Sequence, residues 1–177
     1  MKVEREAKIR VPDAAAARTA VAAIGARLVR PRHFEDNLLL DDASTSLRGR
    51  GAALRLRRTE GRSVLTFKGR AQPDAPGLKA RPEVEVDVSD ADAAQSLLDA
   101  LGYAPAFRYQ KYREVWEWQQ VEIVLDETPI GVFLEIEGDR AGIDAAARAL
   151  GRTPDEYVSA SYPDLFRAQG GRGDMVF

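Results

Sequence analysis

Apolar and charged residues alternate along much of this chain, and the alternation predicts most of its elements. In the opening run VEREAKIRV, Val3, Ala7 and Ile9 fall on one side and Glu4, Glu6 and Lys8 on the other, the two-residue period of a strand. Asp13 then precedes an Ala-rich stretch to about Ile24 that reads as a helix stopped by Gly25. Residues 27–41 read as extended, with Leu38-Leu39-Leu40 an apolar piece, and STSLRGRG (44–51) as a polar turn. AALRLRR and SVLTFKG, separated by Thr59-Glu60-Gly61-Arg62, have the form of a β-hairpin. The Pro, Gly and Asp of RAQPDAPGLKA (70–80) argue for irregular structure, whereas PEVEVDV (82–88) alternates strictly. Ser89-Asp90-Ala91-Asp92 offers capping chemistry for a helix to Leu101, ahead of Gly102. Strands are expected at about 106–118, 120–126 and 131–137, short amphipathic pieces at 141–150, 153–158 and 161–168, and a frayed tail GGRGDMVF.

Seven or eight antiparallel strands with helices inserted between them predict an α+β protein whose sheet curves enough to close or nearly close. A length of 177 residues suits one domain, 1–177.

Composition narrows the chemistry. With 26 Lys and Arg against 28 Asp and Glu the net charge is −2, which gives no long-range pull toward nucleic acid or an anionic membrane. Cysteine is absent, which removes disulfides, thiolate metal sites and thiol nucleophiles. The single histidine, His33, reads as a loop residue and makes imidazole catalysis a poor prospect. The N-terminus meets charge at once, and no run approaches the ~18 apolar residues of a membrane span, so a cytoplasmic location is expected.

Extending the two-residue period to every strand gives apolar faces with Val3, Ala7 and Ile9, Leu54 and Leu56, Leu65 and Phe67, Val84, Val86 and Val88, Val121, Ile123 and Leu125, and Leu134 and Ile136. These are the expected core. The opposite faces carry Glu4, Glu6 and Lys8, Arg55 and Arg57, Lys68, Glu83 and Glu85, Lys111 and Arg113, Asp126, and Glu135 and Glu137. A solvated face would mix signs and include Ser, Thr, Gln and Asn; here like charges stand two apart, where they repel unless an opposite charge, metal or ligand intervenes. If this face curls inward, the charges line a tunnel. Seven carboxylates against six cations suit an anion bridged to hard cations, with Arg and Lys on phosphate oxygens and paired carboxylates on Mg²⁺ or Mn²⁺.

Glu4-x-Glu6-x-Lys8 resembles the E-x-E-x-K signature of the CYTH superfamily, which groups class IV adenylate cyclases with thiamine and inorganic triphosphatases. The similarity continues in order through ALRLRR, LTFKG, RPEVEV, KYRE and LDETPIGVFLEIEG, over about residues 2–168, and looks closest to the bacterial class IV cyclase-like branch. The resemblance implies an eight-stranded antiparallel barrel forming a triphosphate tunnel. It further implies that Arg55, Arg57, Lys68, Lys111 and Arg113 grip the triphosphate, with Lys8 on phosphate or ordering a carboxylate. Glu4, Glu6, Glu83, Glu85, Asp126, Glu135 and Glu137 would hold metal, and Glu4, Glu6, Lys8 and Asp126 would carry the catalysis. Leu38 stands near where the family often has an aromatic side chain, and Tyr162 lies where the family closes one tunnel mouth with a helix.

Two reactions fit such a tunnel: hydrolysis of tripolyphosphate, ATP or thiamine triphosphate, and cyclisation of ATP to cyclic AMP with loss of pyrophosphate. A non-catalytic polyphosphate- or nucleotide-binding module is the alternative, although an anion binder gains nothing from seven carboxylates without metal. No basic surface for nucleic acid is apparent, and an apolar strip left on the barrel exterior would suit a homodimer.

Overall fold

The computed structural model describes residues 2–75 and 78–177. Nine strands form one antiparallel sheet: β1 (Lys2–Val11), β2 (Arg27–Asp41), β3 (Ala53–Thr59), β4 (Arg62–Lys68), β5 (Gln72–Ala75), β6 (Leu78–Val88), β7 (Ala104–Trp118), β8 (Val121–Thr128) and β9 (Gly131–Glu137). Their order is β1-β9-β8-β7-β2-β3-β4-β6-β5, and a further pairing of β1 with β6 closes eight of them into a ring. In that closure Glu4 lies opposite Arg81 and Glu6 opposite Lys79, while on its other side β1 sets Glu6 against Glu137 and Lys8 against Glu135. β5 is the ninth strand, paired only with the first residues of β6.

The barrel is inside out relative to a soluble protein of ordinary design, because its apolar residues face away from the axis. Helices α1 (Ala14–Ala23) and α4 (Arg140–Ala149) cover the outer faces of β1, β8 and β9, burying Ile9, Val21, Ile123, Leu134, Ile136 and Ile143 completely. Each helix begins where an Asp accepts a backbone N–H: Asp13 from Ala16 at 2.7 Å, Asp139 from Gly142 at 2.7 Å. The helix α3 (Ala91–Ala100), capped by Asp90, lays Leu98 on Leu40 and Leu56, the outer side of β2 and β3. Leu38 belongs to this outer cluster, so no side chain at that position reaches the barrel interior. The short α2 (Ser46–Gly49) occupies the turn after β2, its N–H groups on Leu47 and Arg48 held by the buried Asp41.

One end of the barrel is filled. Helix α5 (Tyr162–Ala168) and the chain after it pack Tyr162 and Met175 against Phe107, Tyr109 and Phe133 from β7 and β9. Aromatic rings therefore line the part of the interior next to α5.

Four sequence expectations are corrected here. The 70–80 segment is not irregular where it is described, since β5 and the start of β6 pair as strands; Pro76 and Gly77 lie outside the described residues. His33 is a strand residue of β2, opposite Arg113. The tail is docked: Met175 accepts from Gln110 N–H and donates to Arg108 C=O, both at 2.9 Å, and is fully buried. The outer face of β6 and the start of β1 are not core, for Val3, Val84 and Val86 are 43–51% exposed. Among the described residues no helix is long and apolar enough to cross a membrane.

The docked tail gives the first test. Met175→Ala should lower unfolding stability by about 2–4 kcal/mol in urea titration, the cost of emptying a buried site of that size. A frayed tail would leave the midpoint unchanged.

Candidate active site

Strand parity carries the charged residues inward, and the closure of β1 on β6 brings them together around a cavity of about 210 Å³. Glu4, Glu6, Lys8, Arg55, Arg57, Lys68, Glu83, Glu85, Lys111, Arg113, Glu135 and Glu137 all line it, joined by Arg81, Tyr109, Glu122 and Tyr162. Asp126 lies immediately behind this wall with no exposure at all.

The densest part of the network is built on Asp126. Its carboxylate accepts from Lys111 Nζ at 2.8 Å, from Arg113 Nε and Nη2 at 2.7 and 2.6 Å, and from the Tyr162 hydroxyl at 2.9 Å. The same Arg113 donates to Glu135 at 2.7 Å, and Lys8 stands 3.3 Å from Glu135. Burial raises the pKa of Glu135, yet Lys8, Lys111 and Arg113 outweigh it and hold the group well below the usual carboxylate range. Tyr162 lies under Lys8, whose Nζ is 4.1 Å from the ring centroid. Burial and then Asp126 push the Tyr162 phenol well up, so it is a donor throughout the neutral range. The helix α5 residue therefore does line the site, and it orients the carboxylate that orients two cations.

Opposite, Lys68 bridges Glu4 at 2.5 Å and Glu83 at 2.8 Å, and Arg81 lies 3.5 Å from both Glu4 and Glu6. Arg55 approaches Glu85 at 3.4 Å and the Tyr109 hydroxyl at 3.4 Å. Arg57 is held more loosely, 3.7 Å from Glu35 and 3.7 Å from Glu85. Burial, followed by the neighbouring Arg55, lowers the pKa of Arg57, the signature of a cation short of negative charge.

These groups are the inward face of a closed antiparallel barrel carrying E-x-E-x-K on its first strand, and the CYTH domain profile matches residues 2–153. The chain belongs to the CYTH domain family. It is 23% identical over 175 residues to a Methanocaldococcus jannaschii protein named as a candidate adenylate cyclase, covering 92% of this chain and 98% of that one. A solved structure from Vibrio parahaemolyticus, also named as a candidate adenylate cyclase, superposes with a TM-score of 0.80 at 22% identity, over 94% of this chain and 98% of that one. A Hippeastrum protein, described as a candidate adenylyl cyclase with a dominant triphosphatase activity, superposes with a TM-score of 0.72 at 22% identity, over 96% and 97%. At that identity the two structures speak for the shared fold.

Within this CYTH barrel three of the sequence-predicted carboxylates converge on one point. Glu83, Glu85, Asp126 and Glu135 are each within 4 Å of a cation. Glu4 and Glu6 meet Lys68 and Arg81 and, with Glu137, also bring one oxygen each within 4.8 Å of one another. Among the described residues, Glu4 Oε2 has no hydrogen-bond partner and only Arg81 at 3.5 Å beside it, and no cation lies within ion-pair distance of Glu137. Three converging carboxylates, one with a buried oxygen that accepts no hydrogen bond, fit a hard divalent ion with oxygen ligands.

Several interior residues escaped the sequence reading. Glu35, 1% exposed, sits between Lys111 at 3.6 Å, Arg57 at 3.7 Å and His33 at 3.5 Å. Burial raises its pKa, but Lys111 and Arg113 hold the group well below the ordinary range. Asn37, two residues on, is fully buried with neither amide atom paired. Both share the parity of Leu39, which lines the pocket, so carrying the two-residue period through β2 would have found them. Arg81 and Lys79 precede Glu83 and Glu85 at the same parity, and the Pro and Gly before them disguised the strand.

The triad makes a pH prediction for the metal-free protein. Burial and then Glu4 push the Glu137 carboxyl up to about 8. An unfolded Glu ionises near about 4.3, so between these values the folded chain holds a proton the unfolded chain has lost, and stability falls as pH rises. In chelator-containing buffer the urea midpoint of Glu137→Gln should gain on wild type steadily from about pH 5 to about pH 8. A difference that does not change with pH would contradict the buried, raised carboxyl.

Proposed function

We propose that this CYTH protein is a divalent-metal-dependent enzyme that hydrolyses a triphosphate. The observation that carries the proposal is the pairing of the Glu4–Glu6–Glu137 triad with a cationic wall in one pocket. A triphosphate carries roughly four negative charges, which cations alone could hold; the converging acids are costly beside it unless metal is bound.

Mg²⁺ or Mn²⁺ held by Glu4, Glu6 and Glu137 would polarise the terminal phosphoryl group and supply a nucleophilic water near neutral pH. The chain's own residues do the rest. Lys111 and Arg113 are fixed by Asp126 and Tyr162 before any anion arrives, so their orientation costs little at the moment of reaction. Lys8, between Glu135 and the Tyr162 ring, presents its ammonium toward the same cavity. Arg57, loosely paired and crowded by Arg55, gains most from a phosphate oxygen. The family's charge balance then becomes intelligible: cations neutralise phosphate, and the triad neutralises the metal.

Hydrolysis is preferred to cyclisation because the cavity is small and lined almost wholly by charged groups, with its aromatic residues Tyr109 and Tyr162 at the filled end. The dominant triphosphatase activity ascribed to the Hippeastrum relative supports the same choice. Adenylate cyclase action is the second reading, favoured by the names of the Methanocaldococcus and Vibrio relatives.

The deciding experiment incubates the protein with ATP, thiamine triphosphate and tripolyphosphate, with Mg²⁺ and with Mn²⁺, and measures cyclic AMP, pyrophosphate and orthophosphate separately. Orthophosphate release is expected; cyclic AMP with pyrophosphate would establish the cyclase instead, and tight binding without turnover would leave a binding module. Glu4→Ala and Glu137→Ala should each lower kcat by at least about a hundredfold. Arg57→Ala should raise KM by roughly tenfold or more while leaving the fold intact, because an Arg so crowded contributes little to stability.

A further inference from the structure

Two tyrosines line the part of the pocket beside α5, and the fold uses them differently. Tyr162 gives its hydroxyl proton to Asp126 at 2.9 Å. Tyr109, on β7, is 6% exposed, and its hydroxyl oxygen accepts from Arg55 Nη1 at 3.4 Å. Among the described residues, however, no acceptor takes the Tyr109 proton. Asn37, opposite it on β2, does not, since both polar atoms of its amide are without a partner. A buried hydroxyl with its donor unused forgoes a hydrogen bond it would make in water, and such a group in a folded protein calls for a reason.

The reason lies in what surrounds that oxygen. Arg55 on β3 and Lys111 on the same strand act on it most strongly among charged groups, followed by Glu35 on β2. From α5 the Tyr162 ring stands 6.3 Å away, and Phe133 of β9 and Met175 of the tail complete the cluster without charge. An anion drawn to Arg55 and Lys111 therefore arrives beside an O–H group that lacks an acceptor. Phosphate oxygens accept such bonds strongly, because they carry charge.

Resting on the reading of this pocket as a triphosphate site, we propose that Tyr109 is a further substrate-contacting residue, its hydroxyl donating to the phosphoryl oxygen that Arg55 and Lys111 attract. The same surroundings give the contact an alkaline limit. Burial pushes the Tyr109 phenol up, yet Arg55 and Lys111 outweigh it and leave its pKa below the ordinary value of about 10. Once ionised, the oxygen has no proton to donate and repels phosphate. The contact is fully present below that lowered pKa and is lost as pH rises through it.

Steady-state hydrolysis of tripolyphosphate in MgCl₂, followed from neutral to alkaline pH in wild type and Tyr109→Phe, tests this. The substitution keeps the ring against Phe107 and Tyr162 and removes only the hydroxyl. At neutral pH it should raise KM roughly tenfold and leave kcat within about twofold, as for a contact made equally in the ground and transition states. Toward about pH 10 the wild-type KM should climb to meet that of the variant, which has no phenol there to ionise. An unchanged KM, a loss confined to kcat, KM curves that stay parallel at alkaline pH, or a variant that fails to fold would each overturn the assignment while leaving the triphosphate site standing. A wild-type protein that turns over no tripolyphosphate would remove the triphosphatase reading and, with it, this inference.

Discussion

The structure depends on neutralising a buried field of charge. Charges drawn out of water into a barrel interior each cost several kcal/mol unless opposite charges and hydrogen bonds meet them. Asp126 shows how this is done: wholly buried, it takes donors from Lys111, Arg113 and Tyr162, and through Arg113 it joins Glu135 and Lys8. The interaction links β1, β7, β8, β9 and α5, so the electrostatic requirement of the interior and the closure of the barrel are one problem with one solution.

Because the interior is reserved for charge, the hydrophobic effect has to act outside it. The apolar faces of β1, β8 and β9 are buried under α1 and α4, and those of β2 and β3 under α3. The aromatic cluster made with α5 and Met175 brings apolar side chains to the end of the barrel beside α5. Val84 and Val86, on the outer side of β6, are left partly uncovered, so not every apolar face is covered by a helix of this chain.

Neutralisation is also uneven, and the unevenness indicates function. Paired groups such as Asp126 and Lys111 are satisfied in the free protein and preorganise the wall. The converging Glu4–Glu6–Glu137 triad and the loosely held Arg57 are less fully neutralised, and these are where free energy is available for a ligand to recover. A protein selected only for stability would have replaced them, since removing an uncompensated charge is among the simplest stabilising changes.

Much of this was legible without coordinates. Period-two alternation is a local property, so the strands, the inward set from Glu4 to Glu137 and the order of motifs that marks the CYTH family could be read directly from the residues. Helix starts at Asp13 and Asp90 were similarly local, each set by a side chain reaching its own backbone. Other features were decided by contacts between residues distant in sequence. Whether Met175 frays or docks depends on an open site between β7 and α5, more than sixty positions away for Arg108 and Gln110. Which carboxylates converge, and which cations meet them, depends on the β1–β6 and β1–β9 registers, and no spacing within a strand encodes these. Sequence alone determined which face of each strand is charged, because that follows from the pleat; only the tertiary structure decided who neutralises whom, because pairing across a closed barrel is fixed by register and by the helix that stops one end.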